Sequence, residues 1–114
     1  MKIYIAAPYP LREEARRIMI LLESAGHHVT SRWIVEDQVG MSHEHATHDL
    51  EDVARADLLL AVHQEAWHNR GTGGRHVEFG YALALGIPVV LWGQRTNNFH
   101  HLNHVRVIER LEDL

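Results

Sequence analysis

An α/β fold, a small Rossmann-like three-layer sandwich around a parallel sheet of four to five strands, is what this sequence of 114 residues predicts. Three observations carry that expectation. Short apolar runs without an interior breaker recur, Ile3-Tyr4-Ile5-Ala6-Ala7, Leu58-Leu59-Leu60-Ala61-Val62 and Val89-Val90-Leu91-Trp92, as strands covered on both faces do. Amphipathic segments of helical period alternate with them. Strand, helix and strand also follow within the first 33 residues or so, a length that favours a parallel, right-handed βαβ unit.

Taken in order, the first strand ends at Pro8 and Pro10. Residues 11–25 place Ala15, Ile18, Met19, Leu22 and Ala25 three and four apart, with Arg12, Glu13, Arg16, Arg17 and Glu23 opposite and Gly26 as the stop. Residues 28–33 read as the second strand, and 36–41 as a loop. Ser42 caps a helix running to about residue 56, with Ala46, Leu50, Val53 and Ala54 inward and Asp49 on the flank. Asp57 is a hydrogen-bonding turn residue before the third strand. Residues 77–85 form the next helix, closed by Gly86, and Pro88 opens the fourth strand where its missing donor costs least. Residues 94–104 form a loop rich in Asn and His; 105–107 add an edge strand before a short terminal helix.

A formal charge of -4 with interspersed signs offers no stripe for nucleic acid. The absence of cysteine removes disulfides, cysteine nucleophiles and thiolate metal sites. The apolar start is too short for a signal peptide and is followed at once by charged residues, and no run approaches a membrane span, so a cytoplasmic protein without a membrane partner is expected. Eleven histidines are unusual. His45, His48 and Asp52 share part of a helix face, a surface cluster able to bind metal adventitiously, but the His-Glu-x-x-His order is missing and no metal site or cofactor is expected.

The chemistry gathers around Gly71-Thr72-Gly73-Gly74-Arg75-His76-Val77-Glu78-Phe79-Gly80. A glycine-rich turn between strand and helix sits at the carboxyl edge of an open sheet, where backbone N–H groups can cradle an anion. Glu78 falls in or near the first helical turn by this reading, either as an ordinary N-terminal glutamate or as a carboxylate at the pocket mouth. Asp49 can converge on it, since loops of successive βα elements share one edge. Two carboxylates, one at an oxocarbenium-like centre and one handling a proton, are what glycosyl transfer needs.

Tyr4-Ile5-Ala6-Ala7-Pro8, Asp49-Leu50-Glu51-Asp52 with Ala56-Asp57, and Gly71-Thr72 with Glu78-Phe79-Gly80 together resemble the nucleoside 2-deoxyribosyltransferase family, including its nucleoside 5'-monophosphate N-glycosidase branch. The resemblance covers nearly the whole chain, read as a single domain over 1–114. It implies Glu78 as nucleophile on the sugar C1', Asp49 as proton-handling group and Tyr4 as the hydroxyl that keeps Glu78 charged and oriented. Thr72 stands where base-exchanging relatives have an aspartate. A hydroxyl beside the Gly71, Gly73 and Gly74 donors accepts a phosphate that a carboxylate would repel, which favours a nucleoside monophosphate and hydrolysis.

Monophosphate-hydrolysing relatives carry serine and arginine after the first strand, where this chain has Pro8 and Pro10. Arg12 and Arg75 are the substitutes for phosphate binding. His100, and Asn98 beside it, fall where the family brings a residue of the neighbouring subunit over the 5' end, which implies a homodimer whose 94–104 loop completes the neighbouring site. Trp33 and Trp67 can each stack on a nucleobase or cover the core. Arg32 can meet a base edge or pair with Asp37. Base exchange, NAD cleavage and a nucleotide-binding protein without turnover remain as alternatives.

Overall fold

The structure is a computed structural model that describes residues 1–64, 66 and 70–114. Five strands, β1 (Lys2–Ala6), β2 (His28–Val29), β3 (Leu58–His63), β4 (Val89–Gly93) and β5 (Arg106–Ile108), form one sheet in the order β2-β1-β3-β4-β5. Every pairing is parallel. Three helices, α1 (Arg12–Ser24), α2 (His43–Ala54) and α3 (Gly74–Ala84), flank it, and α2 packs against α3. This is the Rossmann-like sandwich that the alternation of apolar runs and amphipathic segments predicts. The core is the sheet itself: Ile3, Ile5, Leu59, Leu60 and Leu91 are fully buried, so these strands show no polar alternation.

The direction of winding reverses between β1 and β3, and in such sheets the crevice beyond the carboxyl ends at that point is where ligands bind. The chain reaches it by way of Pro8 and a short 3-10 turn, Tyr9–Leu11, which precedes α1.

The second strand is shorter than the pattern predicts. Only His28 and Val29 pair with Lys2 and Ile3. Beyond them, side chains replace the ladder: Ser31 Oγ accepts the Ile5 N–H at 2.7 Å and Trp33 Nε1 donates to the Ile5 carbonyl at 3.0 Å. The chain can therefore turn into a 3-10 helix, Arg32–Ile34, without orphaning the edge of β1.

Asp57 takes the turn role expected of it, accepting the Lys2 N–H at 2.8 Å while its own N–H meets the Lys2 carbonyl. Ser42 caps α2 through the His45 N–H at 3.1 Å. That helix is rotated from the expected face, however, for Ala46 and Ala54 are exposed and the buried residues are Asp52 and Val53. The cause is electrostatic. Asp52, wholly enclosed, accepts from the Arg32 N–H and Nε, both at 2.9 Å, and from Arg55 Nε at 3.1 Å. Arg32 thus pairs with Asp52 and Glu51 rather than with Asp37. A buried carboxylate with several charge-assisted partners outweighs two alanine side chains in choosing the face. Asp49, one turn earlier, is carried inward with it.

Candidate active site

At the switch point lies a cleft of about 150 Å³. Ala7 and Pro8 at the end of β1 form one wall, and Asp49 of α2 with Glu78 of α3 another. Thr72, Gly73, Gly74 and Arg75 form the rim, and Gln38 and Trp33 come from the crossing that follows β2. A roomier apolar groove of about 410 Å³ runs past His76, Phe79, Leu83 and Phe99. No carboxylate lines it, so the acid–base chemistry belongs to the smaller cleft.

The glycines build the rim. Gly73 is the N-cap of α3 at φ +94°, a left-handed conformation that lets the chain enter the helix at once. At Gly71, also left-handed, a side chain would meet Pro8 Cβ at 3.2 Å, so the turn is pressed against the end of β1. Helix α3 therefore begins at Gly74, three residues earlier than its apolar pattern predicts, and Glu78 lies in its second turn. The helix dipole acts chiefly on the first turn and gives this carboxylate little support.

Burial dominates instead. Glu78 is 9% exposed, and its carboxyl is pushed up to about 8, chiefly by desolvation. The Tyr4 hydroxyl opposes the shift and the Asp49 charge adds to it. Tyr4 is fully buried beside Glu78, and its own ionisation is pushed well up by burial and by the Glu78 charge. Its hydroxyl closes no well-formed hydrogen bond in the resting site. Tyr4 acts on Glu78 in the direction expected of it, lowering the carboxyl pKa, while burial acts more strongly the other way.

Asp49 is half-buried. Desolvation raises it, a hydrogen bond from Gln38 Nε2 at 3.1 Å lowers it, and the Asp52 charge raises it again. Three groups named from the sequence, Glu78, Asp49 and Tyr4, therefore influence one another electrostatically.

Arg75 lies in the cleft wall, 7% exposed, with Nε donating to His63 Nε2 at 3.2 Å and Nη1 to the Arg70 carbonyl at 2.6 Å. Burial lowers its pKa. Trp33 does line the cleft, but its N–H is committed to Ile5 and its ring is 3% exposed, so it is also core. Arg12 is not part of the lining. Its Nη1 donates to the Tyr9 hydroxyl, the Glu36 carbonyl and Asp37, which holds the 36–38 loop over the site. Asn98 is exposed at the start of a 3-10 turn, Asn98–His101. Trp67 lies outside the described residues.

His100 requires a correction. It is 1% exposed, turned into its own chain against Phe79 and His63, and pushed down to about 4 by burial and neighbouring cations. A protonated His100 reaching a neighbouring subunit's phosphate is incompatible with that placement. Apolar and aromatic neighbours solvate the neutral imidazole only.

His63, His76 and His100 bring ring nitrogens within 4.8 Å of one another. The lone pairs of two are already directed at N–H donors, Arg75 Nε on His63 Nε2 and the Thr96 N–H on His100 Nδ1. A cation held through those two nitrogens would have to displace both donors and sit beside a guanidinium. The helix-face cluster of His45, His48 and Asp52 is not assembled either, because Asp52 is enclosed by arginines.

Sequence reasoning missed Gln38, Tyr9 and His63. Only His63 carried a signal, as a polar residue at the carboxyl end of a central strand, where ligand-facing groups collect.

The fold and cleft define an open parallel α/β protein with two carboxyl groups, Glu78 and Asp49, lining one cleft at its topological switch point. Among solved structures the chain is similar to the CMP N-glycosidase BcmB of Clostridium botulinum, with a TM-score of 0.65, 23% identity, and coverage of 95% of this chain and 87% of that one. It is likewise similar to a 2-desoxiribosyltransferase of Leishmania mexicana, with a TM-score of 0.64, 16% identity, and coverage of 95% of this chain and 74% of that one. At these identities the likeness is one of fold. No family model and no curated protein sequence matches.

Proposed function

We propose that this protein is an N-glycosidase that cleaves the glycosidic bond of a nucleoside or deoxynucleoside 5'-monophosphate, releasing free base and sugar 5-phosphate. The observation that carries the reading is the pairing of buried Glu78 with Asp49 in one cleft whose rim is Thr72, Gly73, Gly74 and Arg75. The shared fold with a CMP N-glycosidase supports it.

In this reading the ionised Glu78 oxygen attacks C1' and the C1'–N bond breaks. The departing base takes the bonding electrons and a proton from Asp49. Water then adds to C1' as Asp49 removes its proton, and Glu78 leaves. The reactive form of the pair carries one proton in all; burial keeps it on Glu78 at rest, and in this reading it passes to Asp49 as substrate binds, leaving Glu78 ionised to attack. Above about pH 8 both carboxyls are ionised and nothing protonates the base. In acid both are protonated and there is no nucleophile. Activity is expected to form a bell whose alkaline limb falls near 8.

Base exchange would use the same intermediate with a second base in place of water, and the fold shared with a desoxiribosyltransferase keeps it as the second reading. A homodimer also belongs to the proposal: Asn98 and Phe99 are among the exposed residues of the 94–104 loop, and these two would face a neighbouring copy. The test is to incubate the protein and its Glu78→Ala variant with each nucleoside and its 5'-monophosphate, with and without an acceptor base, and to separate the products. Free base from a monophosphate, lost in the variant, supports hydrolysis. A new nucleoside formed only with acceptor supports transfer, and no product from any substrate defeats both.

A further inference from the structure

We propose that Arg12 is a positioning residue for Asp49: with the Tyr9 hydroxyl it straps the 36–38 segment so that the Gln38 amide stays on the Asp49 carboxyl. That this carboxyl handles a proton in a reaction rests on the function proposed above.

The segment depends on such a strap. The Val35 and Glu36 N–H groups still close on the Arg32 carbonyl, at the end of the 3-10 turn that follows β2. From Asp37 to Met41, among the described residues, one backbone hydrogen bond remains, from the Gln38 N–H to the Tyr9 hydroxyl at 3.2 Å. Val39 and Met41 are 88% and 91% exposed, so apolar burial does not hold this stretch either.

Arg12 supplies the remaining contacts from a single nitrogen. Its Nη1 donates to the Tyr9 hydroxyl at 3.1 Å, to the Glu36 carbonyl at 3.0 Å and to Asp37 Oδ1 at 3.3 Å. Guanidinium and peptide N–H groups can only donate, so the Tyr9 oxygen accepts from both Arg12 and Gln38 and uses both its acceptor sites on the strap. The Tyr9 ring is held in turn. It lies 6.3 Å from the Trp33 ring, whose N–H is tied to the Ile5 carbonyl, and the Arg12 guanidinium sits 5.9 Å from its centre. The sheet thereby fixes the Gln38 backbone, and Gln38 Nε2 reaches Asp49 Oδ1 at 3.1 Å.

Glutamine suits a carboxyl that changes its protonation. Its amide N–H donates to the carboxylate and, turned over, its oxygen accepts from the acid. The charged and titratable groups that face Asp49 are Asp52 and His45 of its own helix, Glu36 of the strapped segment, and Glu78 and Tyr4 across the cleft. Of these Glu36 alone belongs to the strap. Withdrawing its like charge would lower the Asp49 carboxyl, whereas withdrawing the Gln38 donor raises it, so the direction of a shift separates the two.

The test is a carbon-13 NMR titration of the Asp49 carboxyl in the full chain as wild type, Arg12→Met, Tyr9→Phe, Gln38→Ala and the Arg12→Met/Gln38→Ala double variant. Gln38→Ala defines the effect of the amide and is expected to move the midpoint upward. Arg12→Met and Tyr9→Phe are each expected to raise it by at least half as much, the second with no change of charge. In the Gln38→Ala background Arg12→Met should raise it no further, because the route through the amide is already cut. Tyr9 is 41% exposed, so Tyr9→Phe carries the test should Arg12→Met not fold.

With a cleaved monophosphate, the acid limb of the pH–rate profile should move in the same variants and in the same direction. A midpoint that stays put or falls in Arg12→Met and Tyr9→Phe, or that rises as much in the Gln38→Ala background as outside it, would overturn the proposal. So would a Gln38→Ala midpoint equal to that of the wild type. If the midpoints move as expected but no base is released from any monophosphate, the hydrolase reading fails and this assignment stands.

Discussion

Replacing Glu78 by glutamine should make the protein more stable in alkali, by an amount that follows from its burial. The carboxyl moves from its usual 4.5 to about 8 on folding. Between those values the folded state holds a proton that the unfolded chain has released. Stability is therefore full below about 4.5, falls as pH rises, and levels off above about 8. The gap, 8 − 4.5 = 3.5, corresponds at ~1.4 kcal/mol per pH unit to a ceiling of ~5 kcal/mol over the whole range. About 4 kcal/mol of it falls between pH 5 and pH 9 by the same conversion.

Glutamine has the same shape and no charge to desolvate, so the variant lacks this slope. Urea unfolding of both proteins at pH 5, 7 and 9 gives the stability difference, in which titrating groups remote from Glu78 cancel. The difference should move in favour of the variant by ~2–4 kcal/mol from the acid to the alkaline end. A difference constant to ~0.5 kcal/mol would mean that Glu78 is solvated like a surface glutamate. The account of the dyad's shared proton would then fall with it.

Other consequences are as direct. Tyr4→Phe removes the group that lowers the Glu78 carboxyl, so the alkaline limb of the pH–rate profile should move further up from about 8, while stability changes by less than ~1 kcal/mol because the hydroxyl has no well-formed partner to lose. Asp52→Ala removes an enclosed carboxylate whose arginine partners are partly solvated and should cost ~1–3 kcal/mol in urea unfolding, with activity falling as Asp49 loses its bearing. Gln38→Ala withdraws the hydrogen bond that lowers Asp49, so the acid limb of the same profile should shift upward; an unchanged limb would remove Asp49 from the proton-handling role. Gly73→Val forces a β-branched side chain into a left-handed N-cap and should lower the unfolding midpoint in proportion to at least ~1 kcal/mol.

The sequence by itself determined the sheet and its order of construction, because uninterrupted apolar runs such as Leu58-Leu59-Leu60-Ala61-Val62 can be satisfied only between two covering layers. It also placed Glu78 and Asp49 at one edge, through the glycine-rich turn and the rule that parallel βα units send their loops to the same side. Local pattern could not decide where the first turn of α3 begins, since Gly73 and Gly74 are poor helix signals yet the left-handed cap and the press of Gly71 on Pro8 start the helix there. Nor could it turn α2: two alanines suggest one face, and Asp52 imposes another by meeting arginines from distant positions. The inward course of His100 and the proton on Glu78 are of the same kind. Burial and partner geometry are sums over atoms that come from all along the chain, so ring orientation and ionisation are decided only when the tertiary structure has brought those atoms together.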